Sequence, residues 1–283
     1  MIMKMKLMLL GTAVFLCSCA GINVKQPEIG SVKKIAILSV TGNEEIKDIK
    51  VEKGEKETLL KSIGNAIKDN IDYFTEEQVT IVTHGANELF KTFNEMNGWT
   101  VVPFETVTES PEVEAFFVDN IIEGESINVG AVKLKEKQDV RRVAPNGMRV
   151  LPYNKINPQG MTWVNGERVE APILRGIGKL CETLGVDAIA VAEFYFAYKT
   201  GMMTKVTSNV TPIVAVNVVL VDKNGNKILY TDYGWKTFES DDAAKINRDY
   251  LNLKDNRSVK AYKRGVDIAV AGFKEKAAKK LGK

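Results

Sequence analysis

The sequence contains few of the side chains that most often carry chemistry in proteins. Among its 283 residues are one histidine and three cysteines. Because no cluster of histidines and cysteines is present, neither zinc nor another transition metal has an evident ligand set. We therefore predict no metal site and no cofactor.

Sequence motifs of catalysis are missing as well. No G-x-S-x-G nucleophile motif occurs, and "GIGKLCETLG" lacks the spacing of a phosphate-binding loop, so helix packing explains its glycines better. The lone histidine, His84, ends a predicted strand, where a capping or surface role is expected. The acids of "ESDDAAK", residues 239–245, are interpreted as a helix N-terminus rather than a calcium site. These observations predict a protein that is not an enzyme.

Neither sign of charge dominates the chain. The 39 basic and 36 acidic residues leave a net charge of +3, which falls to +1 if Lys4 and Lys6 are removed with a leader. A balanced charge argues against nucleic acid as a partner and against long-range electrostatic steering. The hydrophobic fraction of 45% is enough for a sizeable core.

The apolar run at the start is too short to span a bilayer. Residues 7–16, "LMLLGTAVFL", are ten in number, whereas a membrane-spanning helix needs about 20. With Lys4 and Lys6 before it, the run is typical of a secretory signal peptide, which we predict over residues 1–18.

The residues that follow, Leu16-Cys17-Ser18-Cys19, resemble the lipobox of bacterial lipoproteins. In that motif an aliphatic residue and two small residues precede the cysteine that is lipidated. Cys19 fits the motif, whereas Cys17 would place the bulky Leu16 at the cleavage position. The resemblance implies that Cys19 carries three acyl chains, which would hold the protein on a membrane for its lifetime. Ala20 stands where an aspartate would resemble an inner-membrane retention signal, which implies the outer membrane.

Other interpretations of the leader stay open. They are a soluble secreted protein cleaved near Ala20, a disulfide or metal pair at Cys17 and Cys19, and an uncleaved membrane anchor. The second requires the leader to be retained as structure, and the length of the run disfavours the third. If Cys17 is removed and Cys19 is alkylated, Cys181 has no disulfide partner. Its position on the apolar face of a predicted helix then indicates a buried, inert thiol.

Beyond a lipidated tether at residues 19–32, the apolar pattern predicts a single α/β domain over residues 33–283. The predicted strands are 33–40, 79–84, "WTVVPF", "VDAIAVAEFYFAYKTG" and a hairpin with Asn224-Gly225 at its turn. The predicted helices are 56–74, 89–98, 110–124, 173–185 and 259–281. We expect a mixed sheet flanked by helices, with a C-terminal β-hairpin and a long closing helix.

Residues 125–170 show no sustained period and are predicted to form an irregular insertion, with small hairpins at "APNGMR" and "WVNGERV". We expect the core to be complete without them. Their basic stretch, residues 133–142, has five basic residues and two acids. Lys133, Lys135, Arg141 and Arg142 are therefore predicted to contact anionic lipid, cell-wall polymer or an acidic partner. The alternative is a solvated loop.

The later half of the chain resembles a group of bacterial envelope proteins. In that group a helix ending in Leu-Gly is followed by Asp-Ala before a strand, here Leu184-Gly185-Val186-Asp187-Ala188. The next strands carry Val-Asp-x-x-x-Gly, here Val221, Asp222 and Asn224-Gly225 with one residue fewer between. Over residues 33–75 and 172–281 the chain is similar to curli-secretion-channel lipoproteins, lipoprotein activators of penicillin-binding proteins and the amino-terminal domain of the Tol periplasmic protein. Residues 99–170 depart from this pattern, and no family active site carries over.

Together these features predict a non-enzymatic, lipid-anchored binding or assembly module that faces the periplasm at the outer membrane. Its partner is expected to be an envelope protein or cell-wall polymer. The alternative is a subunit of an oligomeric outer-membrane secretion pore, which requires membrane-spanning strand pairs of about 9–11 alternating residues each. Residues 190–210 and 125–170 alternate poorly, so this alternative ranks lower.

Overall fold

A computed structural model describes most of the chain. The residues it describes are 21–49, 75–120, 128–129, 132–133, 142–158, 160, 162–164, 166–232, 236–247 and 250–282. The helix predicted over residues 56–74 lies outside these ranges.

The described residues form short and long strands together with helices of four to 25 residues. The strands are β1 Ile22–Val24, β2 Lys34–Asn43, β3 Lys47–Asp48, β4 Thr100–Val101, β5 Asn128–Val129, β6 Val132–Lys133, β7 Arg142–Val143, β8 Trp163–Val164, β9 Glu167–Arg168, β10 Ala188–Lys199, β11 Asn209–Asp222, β12 Lys227–Thr231, β13 Thr237–Glu239, β14 Ala244–Asn247 and β15 Tyr250–Leu251. The α-helices are α1 Thr75–Glu95, α2 Phe104–Thr108, α3 Pro111–Asn120, α4 Tyr153–Ile156, α5 Ala171–Leu184, α6 Thr204–Thr207 and α7 Asn256–Lys280, and a 3₁₀ helix spans Glu28–Ser31.

The main sheet is mixed, which confirms the predicted fold class. Its strands lie in the order β1-β12-β11-β10-β2-β4. β10 runs parallel to β2, and β2 runs parallel to β4, whereas β1, β12, β11 and β10 pair antiparallel in succession. The hairpin of β11 and β12 and the closing helix α7 are present as expected.

Helices cover both faces of the sheet, so the domain has three layers. On the first face α1 and α7 pack over Phe194, Phe196 and Tyr198 of β10, the alternating aromatic set of "EFYFAY". On the second face α2 to α5 pack over Ile189 and Val191 of the same strand. Strands buried on both faces need continuous apolar runs, which explains the composition of β10 and β11.

A register shift in β2 explains why its apolar residues do not alternate strictly. The pairing of β2 with β10 shifts between Ala190 and Val191, where the partners pass from Ile37 to Ser39. Ile37 and Val40 therefore contribute to the same core cluster, although strict alternation along the strand would place residues three apart on opposite faces of the sheet.

The segment predicted as the strand 79–84 lies inside helix α1, so that prediction is wrong. The run "VTIVT" has β-branched residues that favour a strand locally, but its buried positions continue a helical period through Leu89 and Phe93. Packing of that apolar stripe against the sheet overrides the local preference. His84 consequently lies in the middle of a helix rather than at the end of a strand.

The predicted tether at residues 19–32 is also corrected where it is described. β1 pairs with β12 through Ile22 and Thr231, and it forms the edge of the main sheet. Ile29 and Val32 are buried in the first core cluster. Residues 21–32 are therefore part of the domain, because their apolar side chains complete its core.

The insertion contributes to the core, contrary to expectation. Leu151, Tyr153 and Ile156 are fully buried in the second cluster. "WVNGERV" forms the predicted hairpin of β8 and β9. "APNGMR" forms a turn closed by the Met148 N–H and the Pro145 carbonyl, but not a hairpin, because the strand before it, β7, pairs with β2. The described part of the insertion thus completes one face of the sheet.

The two motifs that carry the family resemblance have structural roles here. Gly185 ends α5 in the left-handed conformation, with φ of 60°, and Asp187 Oδ2 accepts the N–H groups of Lys33 and Lys34 at 2.8 and 2.9 Å. In the hairpin turn, Asp222 Oδ1 accepts the N–H groups of Asn224 and Asn226. These contacts align β2 with β10 and shape the turn between β11 and β12.

Candidate functional site

The position predicted for lipidation, Cys19, lies outside the described residues, which start at Gly21. The Gly21 N–H donates to Asp232 Oδ2 at 2.8 Å, and the Gly21 carbonyl accepts from the Asp232 N–H at 2.8 Å. Asn23 Nδ2 donates to the other carboxylate oxygen of Asp232 at 2.8 Å. The chain is therefore held at the end of β12 within two peptide units of Cys19, a span of at most about 7.2 Å between Cα atoms.

Of the four basic residues predicted to contact a partner, the described structure includes only Lys133 and Arg142. Lys133 ends β6, which pairs with β5, whereas Lys135 and Arg141 lie outside the described residues. The prediction for Arg142 is wrong, because its side chain is only 5% exposed and its Nε donates to Glu193 Oε1 at 2.6 Å. A guanidinium buried in an ion pair is not available to a partner.

The segment that contains Arg142 docks on the central strands through polar contacts. Glu193 Oε2 accepts the Tyr153 N–H at 2.8 Å. Ser39 Oγ donates to the Arg149 carbonyl at 2.8 Å and accepts the Leu151 N–H at 3.0 Å. Two polar side chains of the sheet thus satisfy backbone and charged groups of the insertion that would otherwise be buried without partners.

The same segment closes against β12 through a second set of hydrogen bonds. The Tyr153 hydroxyl donates to the Thr231 carbonyl at 2.5 Å and accepts from Asn157 Nδ2 at 3.0 Å. Burial raises the pKa of Tyr153 well above its ordinary value, so the hydroxyl stays a donor. Lys227 Nζ donates to Asn157 Oδ1 at 2.8 Å, and burial lowers the pKa of Lys227 while nearby Glu170 opposes that effect. These hydrogen bonds attach the insertion to β12 and have a structural role.

The thiol of Cys181 is buried and is not reactive as a nucleophile. It is fully buried on the apolar face of α5, as predicted, with its Sγ 3.7 Å from the Val221 carbonyl. Burial, followed by the charge of Asp222, raises the pKa of Cys181 to about 12. A protonated and inaccessible sulfur is a poor nucleophile and a poor metal ligand.

His84 acquires partners that the sequence does not place near it. Its Nε2 lies 2.6 Å from Asp267 Oδ1 on α7, and both side chains are partly exposed. Glu88 follows one helical turn after His84. Ligand atoms of His84, Glu88 and Asp267 all lie within 4.8 Å of one another, the one such group of three among the described residues. The i,i+4 spacing of His84 and Glu88 was a visible signal, but Asp267 is 183 residues away.

A cluster of exposed apolar side chains lies in the connection between β10 and β11. Met202, Met203 and Val206 are 97%, 60% and 76% exposed. We call these three residues the tip surface. Among the described residues only two other large apolar side chains, Val118 and Trp163, are comparably exposed. The signal in the sequence was the apolar "GMMTKV" between two strands, at a place where turns are usually polar.

The acids of "ESDDAAK" do not form the expected helix N-terminus. Residues 239–245 run from the end of β13 into β14, and Ser240 is buried with its Oγ donating to the Ala261 carbonyl at 2.8 Å. Asp241 instead accepts from Arg264 of α7. Pairing of β14 with β11 explains the difference, because local capping signals do not report a strand partner.

No helix in the described ranges has the combined length and apolar character needed to cross a bilayer. Comparison of the chain with protein-family models, with curated proteins and with solved structures finds no match.

Proposed function

We propose that this protein is a non-enzymatic, lipid-anchored binding or assembly module that faces the periplasm at the bacterial outer membrane. The observation that carries the proposal is the placement of Cys19, which follows an apolar leader with Leu16 and Ser18 before it. The described part of the domain starts two residues later, where Gly21 is held by Asp232. The resemblance of residues 184–188 to envelope lipoproteins supports the same role.

The short connection has a consequence for the position of the domain. A lipid on Cys19 would sit at the edge of the sheet next to β1, since Gly21 is fixed and no free tether follows it. The domain would lie against the bilayer surface instead of extending from it. Such a module meets partners that are themselves in or close to the membrane.

The tip surface is the partner contact that the described residues support best. Exposed apolar side chains in a group mark interaction surfaces more reliably than scattered ones. Lys199, next to the tip surface, is already paired with Glu239 at 2.7 Å, so the apolar side chains are the main feature of this surface. The partner is therefore an envelope protein whose contact surface is mainly apolar.

The available nucleophile and base support a role in binding rather than catalysis. Cys181 is buried with a raised pKa, and His84 Nε2 is engaged by Asp267. A catalytic pair needs a nucleophile within hydrogen-bond distance of its base. In the described structure Cys181 lies on α5 and His84 on α1, on opposite faces of the sheet.

Cell fractionation with fatty-acid labelling tests the anchor. Cys19→Ala should move the protein from the membrane fraction to the soluble fraction and abolish incorporation of labelled fatty acid. Cys17→Ala is the matched control and should leave both unchanged. Membrane retention and labelling in Cys19→Ala, with their loss in Cys17→Ala, would show that the lipobox is assigned to the wrong residue.

Photocrosslinking in intact cells tests the partner contact. A photoreactive residue replacing Met202 should form a defined protein adduct, identified by mass spectrometry, whereas one replacing the exposed Trp163 should not. Met203→Ser with Val206→Ser should reduce the adduct. A lipid adduct would instead indicate a bilayer contact, an adduct between two copies would favour the oligomeric pore subunit, and no adduct would place the binding surface elsewhere.

A further inference from the structure

We infer that His84, Glu88 and Asp267 form a binding site for a divalent transition-metal ion, with Zn²⁺ as the best match. The site joins helix α1 to helix α7 and supplies one imidazole nitrogen and two carboxylate oxygens. One nitrogen and two oxygen ligands suit Zn²⁺ and related ions, whereas Mg²⁺ and Ca²⁺ prefer oxygen alone. Three protein ligands would leave a coordination position for water.

Helix geometry presents two of the ligands together. His84 and Glu88 are four residues apart in α1, so their side chains share one face of the helix. Both side chains are partly exposed, as is that of Asp267. Partial exposure gives an ion access from solvent and leaves the side chains room to adjust.

Packing of the two helices supplies the third ligand. Farther along the same contact, the Phe93 and Phe273 rings meet edge to face with centroids 6.2 Å apart. Both residues are fully buried, so this contact sets the separation of α1 and α7. Asp267 is thereby held opposite His84 without depending on the metal. A site formed by rigid helices loses little conformational entropy when an ion binds.

The contact between His84 and Asp267 needs only a small change in distance to accept a metal ion. His84 Nε2 and Asp267 Oδ1 share a hydrogen bond of 2.6 Å. Tetrahedral zinc ligands at about 2.0–2.2 Å from the ion are separated by roughly 3.4 Å. The two atoms would move apart by less than an ångström, and the ion would replace the proton between them.

The nearby basic side chains do not prevent a metal ion from binding. Lys91 Nζ is 2.6 Å from Glu88 Oε1, but the lysine side chain is 64% exposed and can move into solvent. Exposed pairs of this kind contribute little, so zinc can displace the lysine. Arg264, on the turn before Asp267, is held by both carboxylate oxygens of Asp241 at 2.8 and 2.9 Å.

Isothermal titration of the purified protein with Zn²⁺ tests the site. The protein carries no histidine tag, and all samples carry Cys17→Ser and Cys19→Ser so that these thiols bind no metal. We expect one saturable Zn²⁺ site, with Mg²⁺ and Ca²⁺ binding much more weakly. His84→Gln, Glu88→Gln and Asp267→Asn should each raise the Kd at least about tenfold. Lys91→Ala should leave the Kd unchanged or lower it, since it removes the competing cation.

Glu95→Gln is the matched control for the loss of an interhelical ion pair. Glu95 of α1 pairs with Lys274 of α7 at 2.5 Å, and no histidine takes part in that pair. Replacing Glu95 should therefore leave the Kd for Zn²⁺ unchanged. Far-ultraviolet circular dichroism without metal verifies that each variant is folded, and Glu88→Gln and Lys91→Ala test the site if His84→Gln unfolds. Absence of saturable Zn²⁺ binding, or equal affinity in folded His84→Gln or Glu88→Gln, would overturn the assignment.

Discussion

Arg142 and Glu193 form an ion pair inside the domain, with 2.6 Å between Arg142 Nε and Glu193 Oε1 and side chains only 5% and 1% exposed. Glu193 lies on the central strand β10, and Arg142 belongs to the insertion. The pair therefore joins a segment that looks peripheral in the sequence to the middle of the sheet. Removing one member would leave the other charge in a place with little water.

The first prediction concerns this pair. Arg142→Ala should lower the free energy of unfolding by about 3–5 kcal/mol, because the Glu193 carboxylate loses its counter-ion. The double variant Arg142→Met with Glu193→Gln should lose less than Arg142→Ala, since neither replacement carries a charge and the glutamine amide oxygen can still accept the Tyr153 N–H. Urea unfolding followed by circular dichroism measures both. The exposed pair of Arg264 and Asp241 is the control, and Arg264→Ala should hardly move the urea midpoint. An equally small shift for Arg142→Ala would contradict a structural role for the buried pair.

The second prediction concerns the core of the second sheet face. Ile177 of α5 and Ile189 and Val191 of β10 are fully buried in one cluster. Ile177→Ala and Ile189→Ala should each cost about 2–5 kcal/mol, through lost burial and the cavity left behind. Lys179→Ala, at an exposed position of α5, should leave the melting temperature nearly unchanged. Melting temperatures unaltered in both core variants would refute the packing of α5 on β10.

The third prediction concerns the start of α7. Asp255 is the N-cap and accepts the Arg257 N–H at 3.0 Å. The Arg257 side chain, and then this backbone bond, lower the pKa of Asp255 from 3.8 to about 2. The stabilisation is therefore complete above about pH 4 and is lost as the pH falls toward the pKa in the folded state.

Thermal unfolding from pH 7 to pH 3 provides the measurement for Asp255. Asp255→Ala should lower the melting temperature by about 2–4 °C at pH 7, and the difference from the parent should narrow below pH 4. Asp242→Ala, which removes a nearby carboxylate outside α7, should not show this pH dependence. A constant difference across the range would mean that the ionised cap is not responsible.

The fourth prediction concerns Cys181. Because burial raises the pKa of its thiol to about 12, the folded protein should resist alkylation by iodoacetamide at pH 8. Full labelling should occur in concentrated urea, because unfolding exposes the thiol. Peptide mass spectrometry reads the labelling of this residue apart from that of the other cysteines. Rapid labelling without urea would show that the contact of α5 with the sheet opens readily.

The elements that local sequence predicts well are those whose period and end signals agree. Strand β10, the β11–β12 hairpin with Gly225 at φ of 75°, and helices α5 and α7 all follow their apolar patterns. Gly178, in the glycine-containing segment of α5, lies where an added Cβ would come within 2.8 Å of the Lys223 carbonyl. That close approach agrees with the prediction that helix packing explains this segment.

The errors have a common physical cause, which is that long-range partners decide between local alternatives. Residues 79–84 favour a strand locally, but their neighbours extend a helical stripe that the sheet buries. The segment after Cys19 looks like a linker until β12 provides a hydrogen-bonding edge for Ile22. Residues 239–245 resemble a helix start, yet β14 pairs with β11.

The sequence by itself determined the mixed α/β class, the long buried strands and the closing helix, because periodicity and turn chemistry are local properties. It also supplied the lipobox at Cys19, which remains a prediction for experiment. Tertiary structure alone decided that Arg142 pairs with Glu193 and that His84 and Glu88 meet Asp267. Those contacts join residues 51 and 183 positions apart. Their geometry depends on how helices and strands pack, and no local pattern contains that information.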